Sequence, residues 1–281
     1  MADTDHRTAR VNSGDVNLFY RIFGKPGATP ILILHGSNYY DSVDWIEVAG
    51  ALATDREVVT PDRRGWGEST WSPSKDNSLD ALLDDMLAVI RAMKWEKLIV
   101  MGHSGAGPTI ISFAVNFPQM TTKLILVDSQ MNREEGARSG KSIGNPPYVY
   151  ESVEAAMAKH KFSNPPRLSW DRKRAELAFI KVDKGLMLKR DPDGSNRQPI
   201  GEGASLPRRP VREMWEELAM VKVPTIIIYG SRSSRYPAAT VERLSKEYSH
   251  IPRFVVDSEH DVAGQAPDAL IGHVRKFIAG A

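Results

Sequence analysis

The sequence predicts an α/β protein: a mostly parallel sheet with helices on both faces, interrupted by one inserted helical segment. Three observations predict it. Strand-sized runs at Ile31-Leu34, Lys97-Met101, Lys123-Val127 and Thr225-Tyr229 are apolar apart from their first residues, and Ile31-Leu34 is continuously so, as a strand covered on both faces must be. Between them lie stretches whose apolar residues recur at helical spacing. The alternation stops after Asp128 and resumes near Lys222, which divides the chain into a first core part (1–128), an insertion (129–221) and a second core part (222–281).

In order, Val16, Leu18, Tyr20 and Ile22 alternate with polar residues, which suits a half-exposed strand near a sheet edge. Pro26-Gly27 breaks the chain, and Ile31-Leu34 then runs into His35-Gly36-Ser37-Asn38. Asp44 to Thr54 reads as a helix and Glu57 to Pro61 as the next strand, followed by the tight loop Asp62-Arg63-Arg64-Gly65-Trp66-Gly67-Glu68-Ser69. Ser78 is placed to cap a helix through Met93, because Leu79, Leu82, Leu83, Met86, Leu87 and Ile90 share one face. In the insertion the helix-like pieces are Val153 to Lys161, Arg172 to Asp183 and Arg212 to Met220, separated by Pro- and Gly-rich connectors. Roughly ninety residues without strands, aromatics scattered through them, read as a folded cap over the core and not as disorder. The last units are a helix from Ala238 to Tyr248, a strand at Arg253 to Val256, a loop carrying His260, and a helix from about Pro267 to Ile278.

Composition narrows the function classes. With 281 residues, 41% hydrophobic and 26% charged, the chain is long enough for one large domain with an insertion. A net charge of +2 without a dense Lys/Arg stripe gives no reason to expect nucleic acid as a partner. No cysteine is present, which removes disulfides, thiolate chemistry and Cys-ligated zinc, and the scattered histidines suggest no metal site. Apolar runs are strand-sized and the first residues carry no apolar leader, so the expectation is a cytoplasmic protein without membrane contact, a monomer or homodimer.

Chemistry concentrates where an apolar strand meets the small-residue turn Gly102-His103-Ser104-Gly105-Ala106-Gly107 and a helical pattern follows at once. That is how a nucleophile elbow reads, with Ser104 at a strained apex and small neighbours that let strand and helix approach. A phosphate-cradling turn is the rival reading, but neither a Walker lysine nor a G-x-G-x-x-G spacing accompanies it. Ligands of parallel sheets sit at the carboxyl ends of the strands, which puts Ser37, Ser104, Asp128 and His260 on one rim.

His35-Gly36, Asp62-x-Arg64-Gly65-x-Gly67-x-Ser69, the Ser104 turn and the late His260 stand in an order and spacing that resemble the α/β-hydrolase superfamily over essentially the whole chain outside the insertion. The resemblance implies an eight-stranded sheet, a serine nucleophile, a histidine base, a carboxylate and a helical lid, with no cofactor. Carried over residue by residue, Ser104 is the nucleophile, His260 takes its proton and returns it to the leaving group, and the amides of Ser37 and Gly105 form the oxyanion hole. His35, Asp62, Arg64 and Ser69 read as loop-fixing, and His103 as packing beside the turn, near enough to substrate to be counted with its binders.

One departure matters. In most members the acid follows the strand matching Thr225-Tyr229, but here that loop reads Gly230-Ser231-Arg232-Ser233-Ser234-Arg235-Tyr236-Pro237 and has no carboxylate. Asp128, at the end of the strand after the elbow, is the favoured replacement, in the position used by haloalkane dehalogenases and zearalenone-type lactone hydrolases. Asp257 or Asp261, a Ser-His dyad, or loss of hydrolysis are the alternatives. Losing the orienting acid of a triad typically slows turnover about 10⁴-fold, which argues against an acid-less enzyme. Substitution of Asp128 is therefore expected to cripple the rate and substitutions of Ser233 and Ser234 to be mild.

Tyr39, Tyr40, Tyr148 and Trp170 suggest an aromatic-lined pocket for a small apolar or aromatic ester or lactone. Three functions are open at this stage: a serine esterase or lactonase acting through an acyl-enzyme; a His260-Asp128 dyad for carbon–carbon cleavage or cofactor-free ring-cleaving oxygenation; and a non-catalytic ligand receptor on the same fold.

Overall fold

The computed structural model describes residues 5–36, 41–129, 131, 149–159, 168–191, 208–210 and 212–280. Its centre is an eight-stranded sheet in the order β1-β2-β4-β3-β5-β6-β10-β11. From β4 (Val58–Pro61) through β3 (Ile31–Leu34), β5 (Leu98–His103), β6 (Thr121–Val127) and β10 (Thr225–Gly230) to β11 (Arg253–Val256) every pairing is parallel. β1 (Arg7–Ser13) and β2 (Val16–Phe23) form an antiparallel hairpin on the β4 side.

The sheet is buried because its residues alternate between two apolar layers. Leu32, Val100 and Leu124 face the cluster that holds Ile110 and Phe113 of α3 (Gly107–Asn116) and Met86 and Ile90 of α2 (Leu79–Ala92). Ile31, Ile33, Ile99, Met101 and Ile125 face Ile46 and Val48 of α1 (Ile46–Leu52) together with Leu270 and Val274 near the C-terminus. This period of two is what continuous apolar strands deliver when both faces are covered. Ser78 caps α2 by accepting the Ala81 N–H at 3.2 Å, as its position predicts.

The strand expected near the edge is there, with one more strand outside it. β2 is second from the edge, and the outermost strand is the polar β1, whose Arg-Thr-Ala-Arg-Val-Asn-Ser composition carries almost no apolar signal. An edge strand needs pairing on one side only, and charge there blunts unwanted strand addition.

The insertion is not purely helical. β7 (Val149–Tyr150), β9 (Gly185–Leu188) and β8 (Phe179–Val182) form a small antiparallel sheet beside α4 (Val153–Lys159) and α5 (Leu168–Ala178). The helix expected over 172–183 therefore ends at Ala178. Phe179, Ile180 and Val182 favour a strand, and Gly185 at φ 139° takes the chain back into β9 through a backbone region closed to other residues. Phe179 meets Tyr150 edge-on at 5.5 Å, and with Ala156, Ala175 and Ala178 it makes the insertion's own small core.

The second core part returns to regular alternation: α6 (Met214–Met220) packs on α3, and α7 (Ala238–Glu247), α8 (Val262–Gln265) and α9 (Pro267–Ala279) complete the helical layers. Among the described residues no helix is long and apolar enough to cross a membrane.

Candidate active site

β5 delivers Ser104 into a 3-10 turn, Ser104–Ala106, that leads straight into α3. Ser104 is held at φ 52°, a conformation that costs a non-glycine residue about 1–3 kcal/mol and survives only where the surroundings enforce it. Gly36 is one such surrounding, because a Cβ there would lie 2.8 Å from the Cβ of Ser104 and 2.7 Å from Nδ1 of His103. The serine hydroxyl is thus aimed out of the turn, and Gly105, next in chain, lies in the first turn, where amides have no intrahelical partner.

Three side chains from three strand ends converge. Ser104 Oγ lies 2.8 Å from Nε2 of His260, and Nδ1 of His260 is hydrogen-bonded to Oδ2 of Asp128. Asp128 follows β6, is fully buried, and is itself at φ 41°. Its Oδ1 accepts the Gly230 N–H at 2.9 Å, and its Oδ2 accepts the Ser233 hydroxyl at 2.5 Å. Gly230 has no room for a side chain, since a Cβ would stand 2.3 Å from the Glu259 carbonyl, and so β10 and the His260 loop can close on each other. The other acids near His260 face elsewhere: Asp257 is exposed and paired with Arg232, while Asp261 caps α8 through the Gly264 N–H at 3.0 Å. Chemically, a hydroxyl, an imidazole and a buried carboxylate linked in this order can deprotonate the hydroxyl and hold the resulting imidazolium.

A family model described as the alpha/beta hydrolase fold matches residues 29–267. The chain belongs to this family. A Haemophilus influenzae protein provisionally named esterase/lipase is 24% identical over 251 residues, which is 89% of this chain and 83% of that protein. An sn-1-specific diacylglycerol lipase of Danio rerio is 31% identical over a shorter stretch, 40% of this chain and 36% of that protein. Among solved structures, E-2-(acetamidomethylene)succinate hydrolase superposes with a TM-score of 0.79 at 21% identity, covering 98% of this chain and 100% of its own. A thioesterase domain from the curacin biosynthetic pathway does so with 0.79 at 20%, covering 96% and 99%. Both structural likenesses concern the fold; family membership makes the chain an enzyme of hydrolase type.

Two other histidines of this α/β hydrolase surround the site without being free to act as bases. The Arg63 N–H donates to Nε2 of His35 at 3.0 Å, which leaves the proton on Nδ1, 2.6 Å from the Gly36 carbonyl. Burial, reinforced by Arg63, pushes His35 down to about 3 and keeps it neutral. His103 donates from Nε2 to the His260 carbonyl at 2.9 Å and lies 4.7 Å from the His260 ring. Burial and the neighbouring His260 push it down to about 3 as well. The sequence places His103 among the substrate binders, but in the structure its ring is walled in by Trp45 and His260 and is spent on the main chain of His260. Trp170 is half-buried against the apolar cluster that includes Trp45 and Val262, with Lys173 over its ring. Ser37, Tyr39, Tyr40 and Tyr148 lie outside the described residues.

The loop after β4 is held as its composition suggests. Asp62, fully buried, pairs with Arg21 at 3.1 Å and accepts the Ser42 and Glu68 amides at 3.1 and 2.8 Å. Arg64 grips Asp85 of α2 with two hydrogen bonds of 2.7 Å. Beside Asp62 sits Asp41, whose carboxyl is pushed up to about 8 by burial and by the charge of Asp62. The unfolded chain releases that proton near the ordinary carboxylate value, so between about pH 4 and 8 the folded state holds the extra proton and stability falls as pH rises. Asp41→Asn, which keeps an acceptor for the Val43 N–H, should flatten this slope. Urea midpoints at pH 5 and 8 should show the native protein losing on the order of 2 kcal/mol more than the variant; parallel losses would rule the assignment out.

Sequence reasoning missed two supports. Arg174 of α5 is buried between Asp44 at 2.6 Å and Asp171 and Asp261 at 3.7 Å, and so ties the insertion to the residue following His260. Its only sequence signal, Asp171 and Arg174 three apart on a helix, is indistinguishable from a solvated ion pair. Ser233, whose substitution the sequence predicts to be mild, touches Asp128 directly, whereas Ser234 is exposed. Among the described residues no group of three or more His, Cys, Asp or Glu side chains could hold a metal ion.

Proposed function

We propose that this enzyme hydrolyses carboxylic esters or lactones through an acyl-enzyme on Ser104. The observation that carries the reading is the 2.8 Å contact between Ser104 Oγ and His260 Nε2, with Asp128 on the far nitrogen of the same ring. A free serine hydroxyl is a weak nucleophile at neutral pH and needs a base at that distance. In the proposed sequence His260 takes the hydroxyl proton as Oγ attacks the carbonyl carbon, and the oxyanion is received by the amides of Gly105 and Ser37. Collapse expels the alcohol, which leaves with the proton from His260. Water, deprotonated by the same imidazole, then attacks the acyl group, and the imidazolium returns that proton to Ser104 Oγ as the acid is released. For a lactone the alcohol stays tethered to the acyl chain throughout, and the second step releases a single hydroxy acid. Asp128 keeps the proton of neutral His260 on Nδ1, so Nε2 is the accepting atom, and it stabilises the imidazolium that forms.

The proposed substrate is small and mainly apolar or aromatic, received by Tyr39, Tyr40, Tyr148 and Trp170 under a cap formed by the insertion. The relative named esterase/lipase agrees with carboxylic esters as the class. A fluorophosphonate probe should add one adduct per chain, mapped by peptide mass spectrometry to Ser104, and Ser104→Ala should abolish it. Hydrolysis of p-nitrophenyl butyrate should proceed equally with and without O₂. Labelling that persists in Ser104→Ala would sink the proposal, and an absolute need for O₂ would favour ring-cleaving oxygenation.

A further inference from the structure

The loop after β10 has no acid, yet it is built around one. Asp128 arrives from β6 and is wrapped by residues 230–236: the Gly230 N–H occupies Oδ1, and the Ser233 hydroxyl occupies Oδ2. Oδ2 is also the atom that faces Nδ1 of His260, so two donors share one oxygen. Ser233 is itself fixed. Its N–H bonds the Gly230 carbonyl at 3.1 Å, its Oγ accepts the Arg235 N–H at 3.2 Å, and the following Tyr236 stacks on Tyr229 at 4.4 Å. Ser233 is 9% exposed, and water has little access to replace its hydroxyl.

We propose that Ser233 is a positioning residue of the Ser104–His260–Asp128 relay, its hydroxyl setting the rotation of the Asp128 carboxylate and drawing off part of the charge on Oδ2. The inference rests on the proposed hydrolytic role of those three residues. The geometry gives the reason. Without Ser233, Oδ2 is held by His260 alone and the carboxylate can follow the imidazole as it turns; with Ser233 both oxygens are pinned from the 230–236 loop and Oδ2 stays in line with Nδ1. A fully buried carboxylate also carries a large desolvation penalty, and each donor on it offsets part of that.

The two effects of losing the hydroxyl can be told apart. Without the donor, more negative charge remains on Oδ2, the imidazolium is held more strongly, and the acid-side limb of the pH profile moves to higher pH. Mere loosening of the loop would separate Asp128 from His260 and leave that limb unmoved or move it lower. With p-nitrophenyl butyrate, Ser233→Ala is expected to lower kcat about tenfold with KM nearly unchanged, the size of effect that a hydrogen bond to a charged group supports. Its acid limb should rise by roughly half a pH unit. Ser233→Thr, which keeps the hydroxyl, should recover kcat to within about threefold of native, and Ser234→Ala, at an exposed site, should match native. If the alanine variant does not melt cooperatively, Ser233→Cys, of similar size but a poorer donor, replaces it with the same expected direction. A native kcat, or a lowered kcat with an unmoved or lowered acid limb, overturns the proposal. Ser104→Ala run in parallel separates the two ideas: persistent labelling there means that the hydrolytic reading has failed, whereas its loss beside a native Ser233→Ala means that only the role of Ser233 has.

Discussion

Replacing His260 by alanine should lower kcat for p-nitrophenyl butyrate by about 10⁶-fold, the loss expected when the base of a serine triad is removed. The magnitude follows from the surroundings of Ser104. Nothing else described near the hydroxyl can take its proton: His103 donates to the His260 carbonyl and stays neutral, and His35 is locked between the Arg63 amide and the Gly36 carbonyl. Ser104 keeps its strained backbone and any oxyanion donors in the variant, so a residual rate over water of roughly 10³-fold should remain. Steady-state rates and the rate of fluorophosphonate labelling should fall together. A loss below about 100-fold would mean that another group, or a different reaction, carries the chemistry.

Asp128→Asn should cost about 10⁴-fold in kcat, and the hydrogen bonds explain why an isosteric change is so damaging. The Gly230 N–H selects the amide oxygen of the asparagine for the Oδ1 position. The amide nitrogen then occupies the Oδ2 position and presents a donor to Nδ1 of His260. The imidazole answers by moving its proton to Nε2, where it faces Ser104 as a donor and can no longer accept the hydroxyl proton. Folding should survive, because shape and the Gly230 bond are retained, and a cooperative thermal transition checks this. A loss of under about tenfold would return the acid role to the other candidates.

Much of this was legible before any coordinates. Continuous apolar runs identified the central strands because burial on both faces leaves no polar positions, and Ser78 announced its helix because a cap is a local bond. β1 was illegible because an edge strand needs only one neighbour and tolerates charge. β8 and β9 were illegible because runs of four residues hold too little periodicity to separate strand from the end of a helix. Of the site, Ser104 and His260 could be named and Asp128 favoured as the acid, with Asp257 and Asp261 beside the histidine as alternatives. Arg174 gave no warning, since a buried arginine and a solvated one are spelled alike.

At Asp128 the division is plain. The residues alone show that the usual acid loop holds serines where a carboxylate is expected, and that a carboxylate ends the neighbouring strand. Which acid meets His260 is settled by the folded chain, where the serine at 233 is a donor to the acid present and not a missing acid. The physical reason is register: β6 and β10 pair in parallel with Val127 beside Ile228, which sets Asp128 against Gly230 and brings Ser233 over its outer oxygen. Local sequence carries propensity and pattern, but a hydrogen bond between residues 105 positions apart exists only once the strands between them have found their order.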